Sequence, residues 1–285
     1  MKKILMVVLC VALCACVFGL TACGGIGMEN YSNEVDIEEF EELLLEAVED
    51  YGYDDEDTFE ASFTGDVYMK SEKVRTYVYD SEAKIEERNV TTTNAQTKYD
   101  ADNEVATISS EEITEAKSNS KTTNSRETEK AWYQKKGGNV AYSSNPDSKM
   151  YSIYEDSEVI DHVSSRSVYQ QVYTAISVML RSAYSEDDGA DYEFFVDDNV
   201  FTIREMIRTE NDDYERRETT FIQLIFSEGK AELKMIRTIY EITEKGEYDD
   251  YAIESVTTEE GKITLTYGEV TLNKEDLSKY NKYDY

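Results

Sequence analysis

An α+β fold built on one antiparallel sheet is predicted by three observations. A helix-period apolar stripe lies near residue 40, strict two-residue alternation follows it, and turn clusters punctuate the last third at intervals of one long strand. With a single proline in 285 residues, long strands can run uninterrupted.

The elements follow in order. GGIGMENYSNE, residues 24–34, is glycine-rich and aperiodic and reads as a tether. In VDIEEFEELLLEAVEDYGY, Ile37, Phe40, Leu44, Ala47, Val48 and Tyr51 recur at helical spacing, with glutamates on the other faces. Asp36 is placed to cap this helix, Glu39 takes the capping-box position, and Gly52 should end it. TFEASFTGDVYMK then alternates Phe59, Ala61, Phe63, Gly65, Val67 and Met69 with polar neighbours, a strand with one apolar face. Ser71-Glu72-Lys73 reads as a turn before the next strand. Residues 85–131 hold sparse apolar positions among Thr, Ser, Asn and Glu; they are taken as long solvated strands, with loops as the competing reading. Lys136-Gly137-Gly138-Asn139 signals a hairpin, and Asn145-Pro146-Asp147 a further turn. A long central helix is expected over roughly 157–184, with Tyr169, Val172, Tyr173, Ile176, Met179 and Leu180 as its stripe. After it, clusters at 197–199, 211–213, 228–230, 245–247 and 259–261 divide a strand meander.

Composition narrows the function classes. The chain carries 61 acidic residues against 29 Lys and Arg, a formal charge of −32. Nucleic acid is thereby an unsuitable partner, because neutralising phosphates requires a basic surface. Disorder is also disfavoured: 23 tyrosines and patterned Ile, Val and Phe are not the makeup of an acidic solvated tail.

All four cysteines stand before residue 24. Met1-Lys2-Lys3 followed by ILMVVLCVALCACVFGL has the basic and apolar regions of a secretory signal. Leu20-Thr21-Ala22-Cys23-Gly24 resembles the lipobox of bacterial lipoproteins, in the Gram-positive manner. The resemblance implies cleavage before Cys23, diacylglycerol and fatty acyl (palmitate) groups on its thiol, and attachment to the outer face of the cell membrane. It makes Leu20, Thr21, Ala22 and Gly24 the signal-peptidase recognition residues. The organisation expected is a signal peptide at 1–22, a lipidated Cys23 with flexible tether at 23–35, and one extracytoplasmic domain at 36–285. No thiol would then remain for disulfides, catalysis or zinc.

The order helix, strands, long helix, meander resembles the LolA-type lipoprotein-carrier fold. That resemblance implies a curved antiparallel sheet, an incomplete β-barrel, with both helices on its concave face and a cavity for acyl chains. Its lining would come from Phe59, Phe63, Val67, Met69, Tyr173 and Ile176.

Catalytic signals are poor. His162 is the only histidine, and the neighbouring Ser164, Ser165 and Ser167 lack a nucleophile-elbow context. The acidic stretches 54–57 and 186–191 do not match a calcium loop, and Asp and Asn at hairpin ends follow from turn chemistry. The tyrosines, including Tyr280, Tyr283 and Tyr285, suit half-wet strand faces better than a sugar- or peptide-binding surface. The expectation is a monomeric, non-catalytic, cofactor-free lipoprotein that binds a hydrophobic or amphipathic ligand between sheet and helices. Its rival is a surface-interaction or structural envelope protein with no cavity.

Overall fold

The computed structural model describes residues 26–52, 60–79, 82–118, 121–163, 180–181, 183–184, 189–211, 214–243 and 252–283. Thirteen strands among them form one sheet: β1 (Glu34–Val35), β2 (Phe63–Tyr79), β3 (Glu82–Asp100), β4 (Val105–Ser118), β5 (Lys121–Lys136), β6 (Asn139–Ser143), β7 (Met150–Tyr154), β8 (Ala190–Asp197), β9 (Val200–Glu210), β10 (Tyr214–Ser227), β11 (Lys230–Thr243), β12 (Ala252–Tyr267) and β13 (Asn281–Lys282). Their spatial order is β1-β8-β9-β10-β11-β12-β2-β3-β4-β5-β6-β7-β13, antiparallel except for the parallel β7–β13 pair. Among the described residues the sheet is accompanied by the α-helices α1 (Ile37–Asp50) and the four-residue α2 (Ile160–Val163) and by short 3-10 turns at Pro146–Ser148 and Leu277–Lys279.

The α+β class with a long central helix is therefore corrected. The described chain is overwhelmingly strand, and within 157–184 the described helical residues are the single turn α2 and Leu180, Arg181, Ala183 and Tyr184; Tyr169 to Met179 lie outside the described residues. The reason is cross-strand pairing. Polar threonine- and glutamate-rich segments score weakly as strands alone, yet become strands when laddered against neighbours. β3, β4 and β5 are such segments, 19, 14 and 16 residues long, so the longest runs on the order of 60 Å.

α1 forms as its sequence requires. The Asp36 carboxylate accepts from the Glu39 N–H at 2.9 Å, and Gly52 leaves the helix with φ +70°. Phe40 and Leu44 are buried. Phe40 packs on Phe194 and Phe201 with ring centroids 5.2 and 5.8 Å away, and Tyr51 stacks on Phe226 at 5.7 Å. The helix thus marks one face of the sheet, here called inner. Directly opposed residues share a face, so the registers carry that face across: Phe226 opposes Ala231, Leu265 opposes Ala231 and Gly65, and Phe63 opposes Tyr99. Phe40, Phe63, Phe226 and Leu265 are at most 1% exposed and belong to one core. The core gathers at the sheet end that holds the turns at 101–104, 137–138, 198–199 and 228–229. Toward the opposite end the strands leave it, and Lys121 to Lys130 of β5 are exposed on both faces.

Both ends of the described chain lie on the outer face. Residues 26–33, within the expected tether, run over β8–β11: the Tyr31 ring meets Phe195 and Phe221 at 5.1 and 5.9 Å. The buried Gln223 accepts from the Glu29 N–H at 2.7 Å and donates to the Glu29 carbonyl at 3.2 Å. The C-terminal segment is held over β5–β7 by the same device. Buried Gln134 accepts from the Glu275 N–H at 2.7 Å and donates to the Glu275 carbonyl at 3.2 Å. Each primary amide presents one acceptor and one donor, which satisfies a strap residue as a neighbouring strand would.

Asp100 adds a third clamp. Its buried carboxylate accepts from the Asn103 N–H (3.0 Å) and side-chain amide (2.8 Å) and from the Leu272 N–H (2.8 Å). Burial pushes this carboxyl up, but the donors outweigh it and hold it below the ordinary range. Asp100→Ala should cost about 1–3 kcal/mol by stranding the amide donors. A group lowered on folding contributes stability above its unfolded value, about 3.9, and loses it as pH falls through the folded value. Thermal unfolding of wild type and variant should thus differ at neutral pH and converge in acid.

Candidate functional site

Of the six predicted cavity-lining residues, Phe63, Val67 and Met69 are among the described residues. Phe63, Val67 and Met69 do share the inner face, opposed by Tyr99, Ala95 and Thr93. Phe63, however, is fully buried against the Tyr99 ring 6.0 Å away, while Met69 is 48% exposed. Phe59, Tyr173, Ile176, Cys23, Leu20, Thr21, Ala22 and Gly24 lie outside the described residues.

The described surface holds open recesses. One, about 540 Å³, lies across β12, β2, β3, β4 and β5, and its lining includes Asp66, Tyr68, Asn94, Gln96, Thr128 and Lys130. The register places these six on the outer face, beyond the straps. One contact already crosses the groove, from the Gln96 amide to the Asp66 carboxylate at 2.7 Å. A second recess, about 340 Å³, is lined by Lys73, Arg75, Glu87, Asn89, Ser118 and Lys121 among others. A third, about 280 Å³, lies between α1 and the β8–β9 turn.

Between core and recess the inner face carries charge. Glu218 of β10 is 4% exposed and is gripped by Arg216 at 2.5 Å and Arg237 at 2.6 Å. Arg237 reaches Glu259 at 3.4 Å, and Arg216 stands 3.8 Å from Glu241. Tyr214 and Ser255 hydroxyls donate to Glu241 at 3.1 and 3.2 Å. Burial pushes the Glu218 carboxyl up; the Arg237 and Arg216 guanidiniums overcome that and hold it low. A sheet face of this kind suits water or a polar ligand better than an acyl chain.

His162 contacts Ser157, a residue the sequence did not single out: Oγ and Nε2 are 2.8 Å apart. Its ring lies between Tyr154 and Tyr133, with centroids at 4.2 and 5.5 Å and nearly parallel planes. The adjacent carboxylate, Asp161, accepts from the Glu158 N–H at 2.9 Å. The Ser157 hydroxyl also donates to Asp161 at 3.5 Å, so the cluster secures the turn leading into α2, with the carboxylate on backbone and serine and not on the imidazole. Ser164, Ser165 and Ser167 lie outside the described residues, as do 54–57 and 186–188 of the acidic stretches. Tyr280 is in a second, outer-face core, edge-on to Trp132 at 5.4 Å, and Tyr283 is exposed.

Gln223 had one sequence signal: it is the only polar residue in FIQLIF, and a polar side chain inside an apolar run needs a partner. Glu218 and the basic recess had none, because their partners are set by register across strands.

No family model matches the chain, and no curated protein matches it. Three similar solved structures are the translocator domain of autotransporter NalP from Neisseria meningitidis, lipovitellin, and OccK5 (OpdH) of Pseudomonas aeruginosa. The first is 8% identical with a TM-score of 0.20, covering 78% of this chain and 94% of that one. Lipovitellin is 6% identical with a TM-score of 0.28, covering 74% and 26%. OccK5 is 8% identical with a TM-score of 0.20, covering 72% and 62%. Similarities this low carry no argument about fold or function.

Proposed function

We propose that this is a non-catalytic lipoprotein, anchored through Cys23 at the outer face of the cell membrane, whose sheet serves as an interaction surface of the envelope. One observation carries the choice between the two readings of the sequence. The apolar core of the inner face is spent on packing, with Phe40, Phe63, Phe226 and Leu265 at most 1% exposed, and the recesses lined from Asp66 to Thr264 and from Lys73 to Thr123 are open and lined mainly by polar and charged residue types. Binding a hydrophobic ligand would require a dry pocket with few polar groups. Anchoring rests on the lipobox resemblance of Leu20 to Gly24. A non-catalytic reading is supported by the Asp161 carboxylate, which accepts from the Glu158 N–H and the Ser157 hydroxyl and does not orient the His162 imidazole.

Native mass spectrometry of the full-length protein, released from its detergent, tests the choice. The expected spectrum shows the polypeptide with its covalent acyl groups and no further lipid, and solvent extraction recovers none. A stoichiometric noncovalent lipid would overturn the reading and restore the carrier.

A further inference from the structure

We propose that the recess at the far end of the inner face binds the phosphate group of an anionic partner; this rests on the interaction-surface reading and gives it a ligand chemistry. Its sign is anomalous. In a chain of charge −32, the inner-face lining contains Lys73, Arg75 and Lys121 against one carboxylate, Glu87; Arg88 and Lys117 also line the recess, but the register sets their side chains on the outer face. Arg88 is spent on Glu72, 2.8 Å away. The three inner-face cations have no ion-pair partner among the described residues. Glu87 does not neutralise them by contact: its carboxylate accepts from the Tyr77 hydroxyl at 3.1 Å and the Ser118 hydroxyl at 3.2 Å.

The register sets the geometry. Arg75 opposes Glu87, Glu87 opposes Ser118, and Ser118 opposes Lys121, so the four form one row on the inner face. Three strand spacings separate Arg75 from Lys121 at the backbone, about 14 Å, a span two long side chains can close on one anion. Lys73 is two residues from Arg75 on the same face, and its row supplies Asn89 and Thr123. A guanidinium fork, ammonium groups and amide and hydroxyl donors together match a tetrahedral oxyanion. Like charges gathered without counterions cost stability, and an incoming phosphate would relieve that cost. At about 340 Å³ the recess holds a phosphate with its attached polyol or sugar.

That chemistry is shared by a phospholipid headgroup and by a soluble phosphorylated polyol. Isothermal titration of the full-length protein in non-ionic detergent separates them, with glycerol phosphate and short-chain phosphatidylglycerol as probes and glycerol as control. Saturable binding of a phosphate probe is expected, none of glycerol, and at least tenfold weaker binding in R75Q/K121Q. Equal affinity for both probes assigns recognition to the phosphate-polyol unit; preference for the lipid assigns it to a membrane source. The double variant's folding is checked by circular dichroism, and K73Q serves as a second variant if it is impaired. Failure of both probes to bind, or binding unchanged in a folded variant, overturns the site. A phospholipid retained in the mass spectrum through this recess is lost from R75Q/K121Q, whereas a lipid carried between sheet and helix is kept by that variant, so the two readings fail separately.

Discussion

Glu218→Ala should lower the unfolding free energy by about 3 kcal/mol, the lower end of the range for breaking a buried pair. The lower end applies because Arg216 and Arg237 are themselves about one third exposed, at 33% and 35%, and so partly screened by solvent. The acid's side chain is only 3% exposed. Its removal leaves two guanidiniums on adjacent strands with Glu259 and Glu241 as their remaining partners, at 3.4 and 3.8 Å. Urea unfolding should show a lower midpoint with the slope unchanged. Acid dependence supplies a second readout. The folded Glu218 carboxyl is held below its ordinary value, so its contribution is present above the unfolded value, about 4.3, and fades as pH falls through the folded one. The variant should lack that fraction of acid sensitivity. Replacing all three charges together by Leu, Met and Met should cost far less than Glu218→Ala, since a buried ion pair often exchanges for apolar packing without loss. Equal stability of wild type and Glu218→Ala would remove this network from any role in holding the inner face.

What was legible in the sequence is what a few consecutive residues decide. Asp36, Glu39 and Gly52 define α1 with chemistry that acts within one turn, and the structure places the cap where those residues do. The turns at Gly137, Asp198 and Gly229 were legible for the same reason: each has positive φ, +66°, +54° and +66°, which glycine and aspartate tolerate. Turns expected at 71–73 and 259–261 are absent, and β2 and β12 run through them. Polar residues there resemble a break only when read alone. Glu72 is bound by Arg88 on the next strand, and Gly261 leaves space that Met235 occupies, its side chain 3.6 Å from where a Cβ would stand. The turn at 245–247 lies outside the described residues. The central helix failed as a prediction because helical spacing within one segment carries no information about the strands that surround it. The straps and the basic row were illegible on the same ground. Gln223 meets Glu29 across 194 positions and Gln134 meets Glu275 across 141, and the row from Arg75 to Lys121 exists only once three registers are fixed.

Cys23→Ala should move the protein from the membrane fraction to the soluble one, or leave an uncleaved precursor, and abolish palmitate labelling. The magnitude follows from lipid transfer. At about 0.8 kcal/mol per buried methylene, a single chain gives marginal, reversible attachment, whereas two or three chains make it persistent. The folded surface offers no substitute, because a charge of −32 is repelled by an anionic bilayer surface. The N-terminal strap sharpens the expectation. Glu29 is fixed by Gln223, and its carboxylate pairs with Lys234 at 2.9 Å. Six residues of fully extended backbone, the most that can separate Cys23 from Glu29, reach about 20 Å. A lipidated Cys23 would thus hold the outer face of β10 and β11 near the bilayer. Gln223→Ala should lengthen that reach without loosening the lipid, so it should stay membrane-bound while protease cleavage near Tyr31 quickens. Membrane retention and labelling of Cys23→Ala would refute the anchor. Unaltered cleavage of Gln223→Ala would refute only the strap, because acylation and docking are separate events on the two sides of residues 24–28.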